Sequence, residues 1–218
     1  MYNLPHFAVD DRAQLLELMR SHPLGCLIAQ GPQGLDANHL PFEVRESEDG
    51  QLQLWAHVAR ANPLWQQLGD GMPVLIVFRA EESYISPNWY PSKQATHEQV
   101  PTWNYRVVHA HGTLRIRDDE KFVRGVVGLL TRRHELRLGQ DGEHQPWKMS
   151  DAPQDYLQKM LGAIVGLEVD VSRLEGKFKL SQNKSAADQK AVADSLLAAG
   201  PTDMGRRMQE QQASESRD

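Results

Sequence analysis

The stretch Leu24–Val58, LGCLIAQGPQGLDANHLPFEVRESEDGQLQLWAHV, decides the fold class. Its first six residues, Leu24–Ala29, are an apolar run of strand length, and Gly31-Pro32-Gln33-Gly34 is a turn by composition. Leu35–Val44 reads as a second strand, bent or interrupted around His39-Leu40-Pro41. Asp49-Gly50 turns the chain again into Gln51–Val58, where Leu52, Leu54, Ala56 and Val58 alternate with their neighbours as in a half-buried strand. Three strands this close together leave no room for crossover helices. The spacing therefore predicts an antiparallel meander and disfavours a doubly wound parallel sheet.

Outward from the meander, strands and helices alternate less regularly. Asp10–Ser21 reads as a surface helix, with apolar residues at 15, 16, 18 and 19 behind an acidic start. Asn62-Pro63 reads as a helix N-cap with proline in the first helical position. Pro73–Phe78 is almost wholly apolar, which suits a strand covered on both faces. Residues 86–101, with three prolines, read as a long loop of the kind that is often functional. Tyr105–Arg117 is a long strand, and Asp118 caps a helix running to about Arg133. A Gly/Asp/Pro-rich exposed stretch over 139–153 precedes a short helix, Gln154–Leu161, and a last strand, Val165–Val171. Ser185-Ala186-Ala187-Asp188 resembles a capping box opening a helix to Ala199. From Gly200 the chain is polar and reads as a flexible tail. Six or seven strands with such helices make a mainly β, α+β protein: a small antiparallel barrel decorated by helices.

Composition narrows the function classes. Of 218 residues, 40% are hydrophobic and 24% charged, ordinary for a globular chain, and the net charge of −5 gives no global attraction to nucleic acid or acidic membranes. No apolar run is long enough to span a membrane, and a cytoplasmic protein is expected. Cys26 is the single cysteine and sits in an apolar run, as a buried inert thiol does. There is no Gly-x-Ser-x-Gly elbow, no Gly-x-x-x-x-Gly-Lys loop and no Gly-x-Gly-x-x-Gly turn. His109-Ala110-His111 has a spacing found in metal sites, but nine histidines make such a pair easy to meet by chance, and no metal site is assigned.

Four further segments carry chemistry. Arg60, where a strand ends and a helix begins, offers a planar fork for an anion, and the first-turn N–H groups would point the same way. Segments 83–90 and 100–105 hold five of the fifteen aromatic residues, enough to wall a planar ligand or to pin the loop by packing. Gly176–Lys184 places three lysines and two side-chain amides around a strand-to-helix transition, again suited to an anion or to a solvated basic turn. The most basic stretch, Arg132-Arg133-His134-Glu135-Leu136-Arg137, with Arg115, Arg117 and Arg124 nearby, has the look of a solvated helix end, and no basic recognition helix of a helix-turn-helix is visible.

These motifs occur together in one order: Met1-Tyr2 with Pro5-His6-Phe7, Ala37-Asn38-His39-Leu40-Pro41, His57-Val58-Ala59-Arg60-Ala61-Asn62-Pro63, Tyr84-Ile85-Ser86-Pro87 with Trp89-Tyr90, Val100-Pro101-Thr102-Trp103-Asn104-Tyr105, and Lys179-Leu180-Ser181-Gln182-Asn183. In this the chain, from Met1 to about Ala199, resembles the PaiB family, described as FMN-binding negative transcriptional regulators. The resemblance implies an FMN-binding split β-barrel of Greek-key type, usually a homodimer with FMN at the subunit interface. It implies a split-barrel domain over 1–184, a helix over 185–199 packed on the barrel, and a tail over 200–218. Arg60, Ala61 and Asn62 would lie near the phosphate with Lys179 helping. Asn38, His39 and Pro41 would run beside the ring. Trp103, Asn104 and Tyr105 would close the pocket, with Gln182 and Asn183 nearby. The implied function is a regulator sensing a flavin or small molecule, with a DNA operator as partner. The alternatives are a flavin-dependent oxidoreductase of the pyridoxamine-phosphate-oxidase or flavin-reductase type, and a DNA-binding repressor without flavin.

Overall fold

Pairing in the meander follows the hydrophobic pattern. In the computed structural model, which describes residues 1–47, 49–139, 142, 145–200 and 203–215, β2 (Leu24–Gly31) and β3 (Gly34–Pro41) pair from Leu24 opposite Pro41 to Gly31 opposite Gly34. Gly34 closes this hairpin at φ 116°, a conformation that side chains disfavour. Then come β4 (Glu43–Glu46), β5 (Leu52–Ala59), β6 (Pro73–Ile85), β7 (Thr102–Arg117) and β8 (Ile164–Lys179), with a two-residue β1 (Ala8–Val9) beside β8. The helices are α1 (Arg12–Ser21), α2 (Leu64–Leu68), α3 (Pro91–Thr96), α4 (Glu120–Leu138), α5 (Gln154–Gly162), α6 (Ala186–Ala198) and α7 (Asp203–Glu215).

The strand order is β3-β2-β6-β7-β8-β5-β4. Its two end strands, β3 and β4, are consecutive in the chain and separated by Phe42 alone. One residue spans less than about 4 Å, so the chain holds the adjoining ends of these two strands close together. Phe42 is fully buried, and its N–H donates to the Pro23 carbonyl at 2.8 Å. No hydrogen-bonded ladder joins the ends among the described residues, so the sheet is not closed by hydrogen bonding.

The contacts divide the chain into two compact units, one of residues 16–78 and 109–174 and the other of 1–15, 79–108 and 175–218. In the first, α4 lays Phe122, Val126 and Leu130 against Trp55, with the Phe122 and Trp55 rings 4.7 Å apart. Each such aromatic removed from water is worth about 2–3 kcal/mol. Gly166 permits this packing, because a Cβ there would lie 2.7 Å from Phe122 Cε1 and 2.8 Å from the Arg117 carbonyl oxygen. In the second unit, Ser185 caps α6 by accepting from the Asp188 N–H at 3.2 Å. Helix α7 buries Met204 and Met208, each 1% exposed.

Several expectations change. The strand expected over 73–78 runs on to Ile85, and only alternate residues are buried; Leu75 and Val77 are half-exposed, so one face is not covered by this chain. The loop over 86–101 contains a 3-10 turn (Pro87–Trp89) and α3. Asp119, not Asp118, caps α4, accepting from Phe122 N–H at 2.8 Å. The last strand is 16 residues long, from Ile164 to Lys179, and runs through the polar Ser172-Arg173 step. Cys26 is half-buried and carries no disulfide. Where a flexible tail was expected, α7 forms from Asp203, while residues 201, 202 and 216–218 lie outside the described residues. Of the exposed stretch expected over 139–153, residues 140, 141, 143 and 144 also lie outside them.

Candidate functional site

The first candidate anion site is the turn between β5 and α2. Its Arg60 side chain is engaged along two edges. Nη1 and Nη2 donate to the two carboxylate oxygens of Asp118 at 2.9 and 2.5 Å, Nε donates to the Gly162 carbonyl at 2.8 Å, and Nη2 also reaches the Ile164 carbonyl at 3.2 Å. The Arg60 guanidinium holds Asp118 below the usual carboxylate range, and Asp118 in turn raises Arg60. Both side chains remain about two-fifths exposed, so the pair is open to competition from another anion. The Ala61 N–H makes no hydrogen bond with any described residue.

Asn62 shapes the same turn. Its Oδ1 accepts from Leu64 N–H at 2.9 Å, as an N-capping side chain does. Its Nδ2 donates to Asn38 Oδ1 at 2.9 Å, tying the turn to β3. Asn38 donates in turn to Asp36. His39 is exposed and Pro41 half-buried on the same strand. Of the expected site residues, Asn38, Arg60 and Asn62 are thus brought into one connected group. Asp118, which the sequence offers as a helix cap, is the partner that was missed.

In the other unit, strand alternation separates the Trp103-Asn104-Tyr105 triplet. Trp103 is 54% exposed and meets Tyr84 edge-on with ring centroids 6.1 Å apart. Tyr105 is half-buried with Lys177 Nζ 5.6 Å above its ring. Asn104 points the opposite way and is fully buried: its Nδ2 donates to Ser181 Oγ at 2.9 Å and to Met208 Sδ at 3.4 Å, and Ser181 Oγ donates back to its Oδ1 at 3.3 Å. Ser181 takes φ 69°, a left-handed conformation costly for a side-chain-bearing residue. Gln182 braces it, with Oε1 accepting from Leu180 N–H at 2.7 Å and Nε2 donating to the Phe178 carbonyl at 2.6 Å. Asn183 is exposed.

Three lysines surround that turn. Lys179 Nζ donates to Thr102 Oγ1, Lys177 Nζ to the Tyr2 carbonyl at 3.1 Å, and Lys184 Nζ to Gln99 Oε1 at 2.7 Å. No described carboxylate lies within ion-pair distance of any of the three. Burial, then the charges of Lys177 and Lys184, push the Lys179 ammonium below its usual range. Buried Asp188 stands further off. Burial opposes its ionised form, but hydrogen bonds from Ser92 N–H, Ser92 Oγ and Ser185, with the Lys184 charge, bring it below the usual range.

In the basic stretch on α4, Arg133 is paired with a carboxylate and Arg137 Nη1 donates to the neutral Ser21 carbonyl at 3.2 Å. Arg133 Nη2 donates to buried Glu43 at 2.7 Å, while Arg115 pairs with Asp170, Arg117 with Glu168 and Arg124 with Glu120. His109 and His111 lie on β7 with rings 6.4 Å apart.

Residues 1–173 match the family described as "FMN_bind_2: Putative FMN-binding domain". The chain belongs to this FMN_bind_2 family. The FMN_bind_2 chain is 26% identical over 196 residues to protease synthase and sporulation protein PAI 2 of Bacillus subtilis, covering 90% of this chain and 89% of that one, which bears out the PaiB resemblance. It is 31% identical over 222 residues to the uncharacterized protein AN0679 of Emericella nidulans, covering 88% of each. Among solved structures it resembles the FAD and heme binding protein of Mycobacterium smegmatis, with TM-score 0.57, 18% identity, and coverage of 89% of this chain and 81% of that one. The fold is α+β of the split-barrel type, its sheet antiparallel and unclosed. No helix among the described residues is long and apolar enough to cross a membrane.

Proposed function

We propose that the chain is a cytoplasmic, homodimeric FMN-binding regulator of transcription, in which flavin or a related small molecule biases a dimer interface. The family match over residues 1–173 carries the flavin reading. The residues of the β5–α2 turn fit a phosphate: the free Ala61 N–H and the exposed Arg60 fork supply donors, and Asn62 holds the turn in place. Asn38, His39 and Pro41 are the proposed ring-edge residues of the same unit. FMN, when bound, supplies a redox-active ring able to take up a hydride. The chain's own part is to bind and orient that ring and to release Arg60 from Asp118 for the phosphate.

The dimer is supported by an apolar row on the outer side of the β2–β6 pair. Cys26 stands opposite Val77 and Ile28 opposite Leu75, all four half-exposed, and Leu24 beside them is 62% exposed. A contiguous apolar face of this kind suits an isologous contact with a second copy.

The deciding experiment is a visible absorption spectrum of the purified protein before and after FMN addition and gel filtration. A retained flavin band with altered fluorescence is expected. A colourless protein that excludes FMN would defeat the flavin reading, and turnover of NADPH by the loaded protein would move the function to an oxidoreductase.

A further inference from the structure

A cavity of about 550 Å³ lies wholly within the unit that holds the chain ends, between the segment 6–14, the end of β8 and α7. Its volume falls in the range of small-molecule sites. Arg106 on β7 lines it and is only 5% exposed. Glu81 takes two of its edges, accepting from Nε at 2.7 Å and Nη2 at 3.0 Å. Phe178 covers one face of the guanidinium, with its centroid 5.0 Å from Cζ. What is left is Nη1, which makes no hydrogen bond with any described residue. A buried cation with an unused pair of N–H donors in a cavity wall is a ready acceptor of an anionic group.

The rest of the wall restricts which anion. Arg106 and Arg207 face four carboxylates, those of Glu81, Asp10, Asp11 and Glu210, an excess of two negative charges. A phosphate dianion would be repelled. Three of the four carboxylates are occupied: Glu81 by the arginines, Glu210 by Arg207 at 2.8 Å, and Asp11 by capping α1 through Ala13 N–H at 2.8 Å. Asp10 makes no hydrogen bond or ion pair with any described residue. The cavity thus presents one unused cation edge and one unused carboxylate, with Phe178 and Leu180 as an apolar wall.

We propose that this cavity binds a small zwitterion of amino-acid or dipeptide size, its carboxylate on Arg106 Nη1 and its ammonium on Asp10. Helix α7 and the end of β8 lie beyond residue 173, so the site is built in part outside the family-matched region, and of the residues expected near the flavin it shares Gln182 alone.

The test is thermal shift, followed by calorimetry, on the full chain with the twenty amino acids and a mixed dipeptide set. N-acetylated and decarboxylated analogues of every hit serve as controls. At least one zwitterion should raise the melting temperature, and both of its single-charge analogues should bind about tenfold or more weakly. Asp10→Asn, an exposed change that leaves the core untouched, should weaken the hit by a similar factor while FMN binding stays unchanged. Arg106→Lys, which keeps a cation for Glu81, should do the same if circular dichroism shows it folded; otherwise Asp10→Asn decides alone. No hit in the panel, analogues that bind as well as the zwitterion, or affinity indifferent to Asp10→Asn would each overturn the proposal.

Discussion

The Arg60 turn and the lysine-rich end of β8 are alike in sequence: each sets cations where a strand gives way to a helix. They differ in what faces those cations. Arg60 is neutralised by a bidentate carboxylate, whereas Lys177, Lys179 and Lys184 donate to neutral oxygens, and the carboxylate that feels one of them, Asp188 near Lys184, stands beyond ion-pair distance. An anion arriving at Arg60 must displace Asp118, and its gain is the difference between two ion pairs. An anion arriving at the lysines displaces no carboxylate and relieves their mutual repulsion. A count of cations in a sequence therefore overstates the first region and understates the second.

The comparison breaks most sharply on Arg60→Ala. If the turn takes the FMN phosphate, that change should weaken FMN by about tenfold to a hundredfold. Riboflavin, lacking the phosphate, should be unaffected in the same fluorescence titration. An equal loss for both ligands, or none for either, would hand the phosphate role to the lysines. Asp118→Asn sharpens the point in the other direction. With its competitor neutral, Arg60 should bind FMN about threefold to tenfold more tightly, again with riboflavin unchanged. A weaker FMN complex would mean that Asp118 orients Arg60 for the phosphate instead of competing with it.

Such differences mark where sequence reading stops. The β2–β3 hairpin was legible because an apolar run, a Gly-Pro-Gln-Gly turn and a bent second strand leave one sensible register. The extension of β6 was not, since Arg79–Tyr84 is polar and earns its place through single contacts such as Glu81 with Arg106. Helix α7 was hidden in a polar tail whose apolar stripe is two methionines one turn apart, Met204 and Met208. Gly205 lets that helix close on α6, where an added Cβ would lie 3.0 Å from Leu197 Cγ. Asp118 and Asp119 are indistinguishable as neighbours in a sequence, yet one pairs with Arg60 and the other caps α4. Asn38, Arg60 and Asn62 could be named from motif and spacing. The separation of Asn104 from Trp103 and Tyr105 needed the strand's alternation to be placed.

A smaller effect is expected from Lys179→Met. The change removes a partly buried charge that is pushed toward neutrality by burial and by two other lysines, and the thioether can pack near Phe7. In phosphate-free buffer the melting temperature should rise by roughly 1–3 °C, the size of a modest stability change in a chain of this length. Added inorganic phosphate should stabilise the parent protein more than the variant. Equal stabilisation of both would show that the lysine cluster is not an anion site, and the contrast with Arg60 would lose its second half.

The smallest effect lies three residues before Arg60, on β5, where a third kind of site carries neither a charge partner nor free exposure. His57 is half-buried, its buried Nδ1 is without a hydrogen bond among the described residues, and burial lowers its affinity for a proton. The unfolded chain, with an imidazole near its ordinary value of about 6.5, binds more protons than the fold in the window below that value. The contribution of the neutral ring is therefore complete above about pH 6.5 and declines as the pH falls through the lowered folded value. Urea midpoints measured from pH 8 to pH 5 should drop more steeply for the parent protein than for His57→Gln. Parallel slopes would mean that the ring gains a partner on protonation, and His57 would then belong with the paired cations of the Arg60 turn.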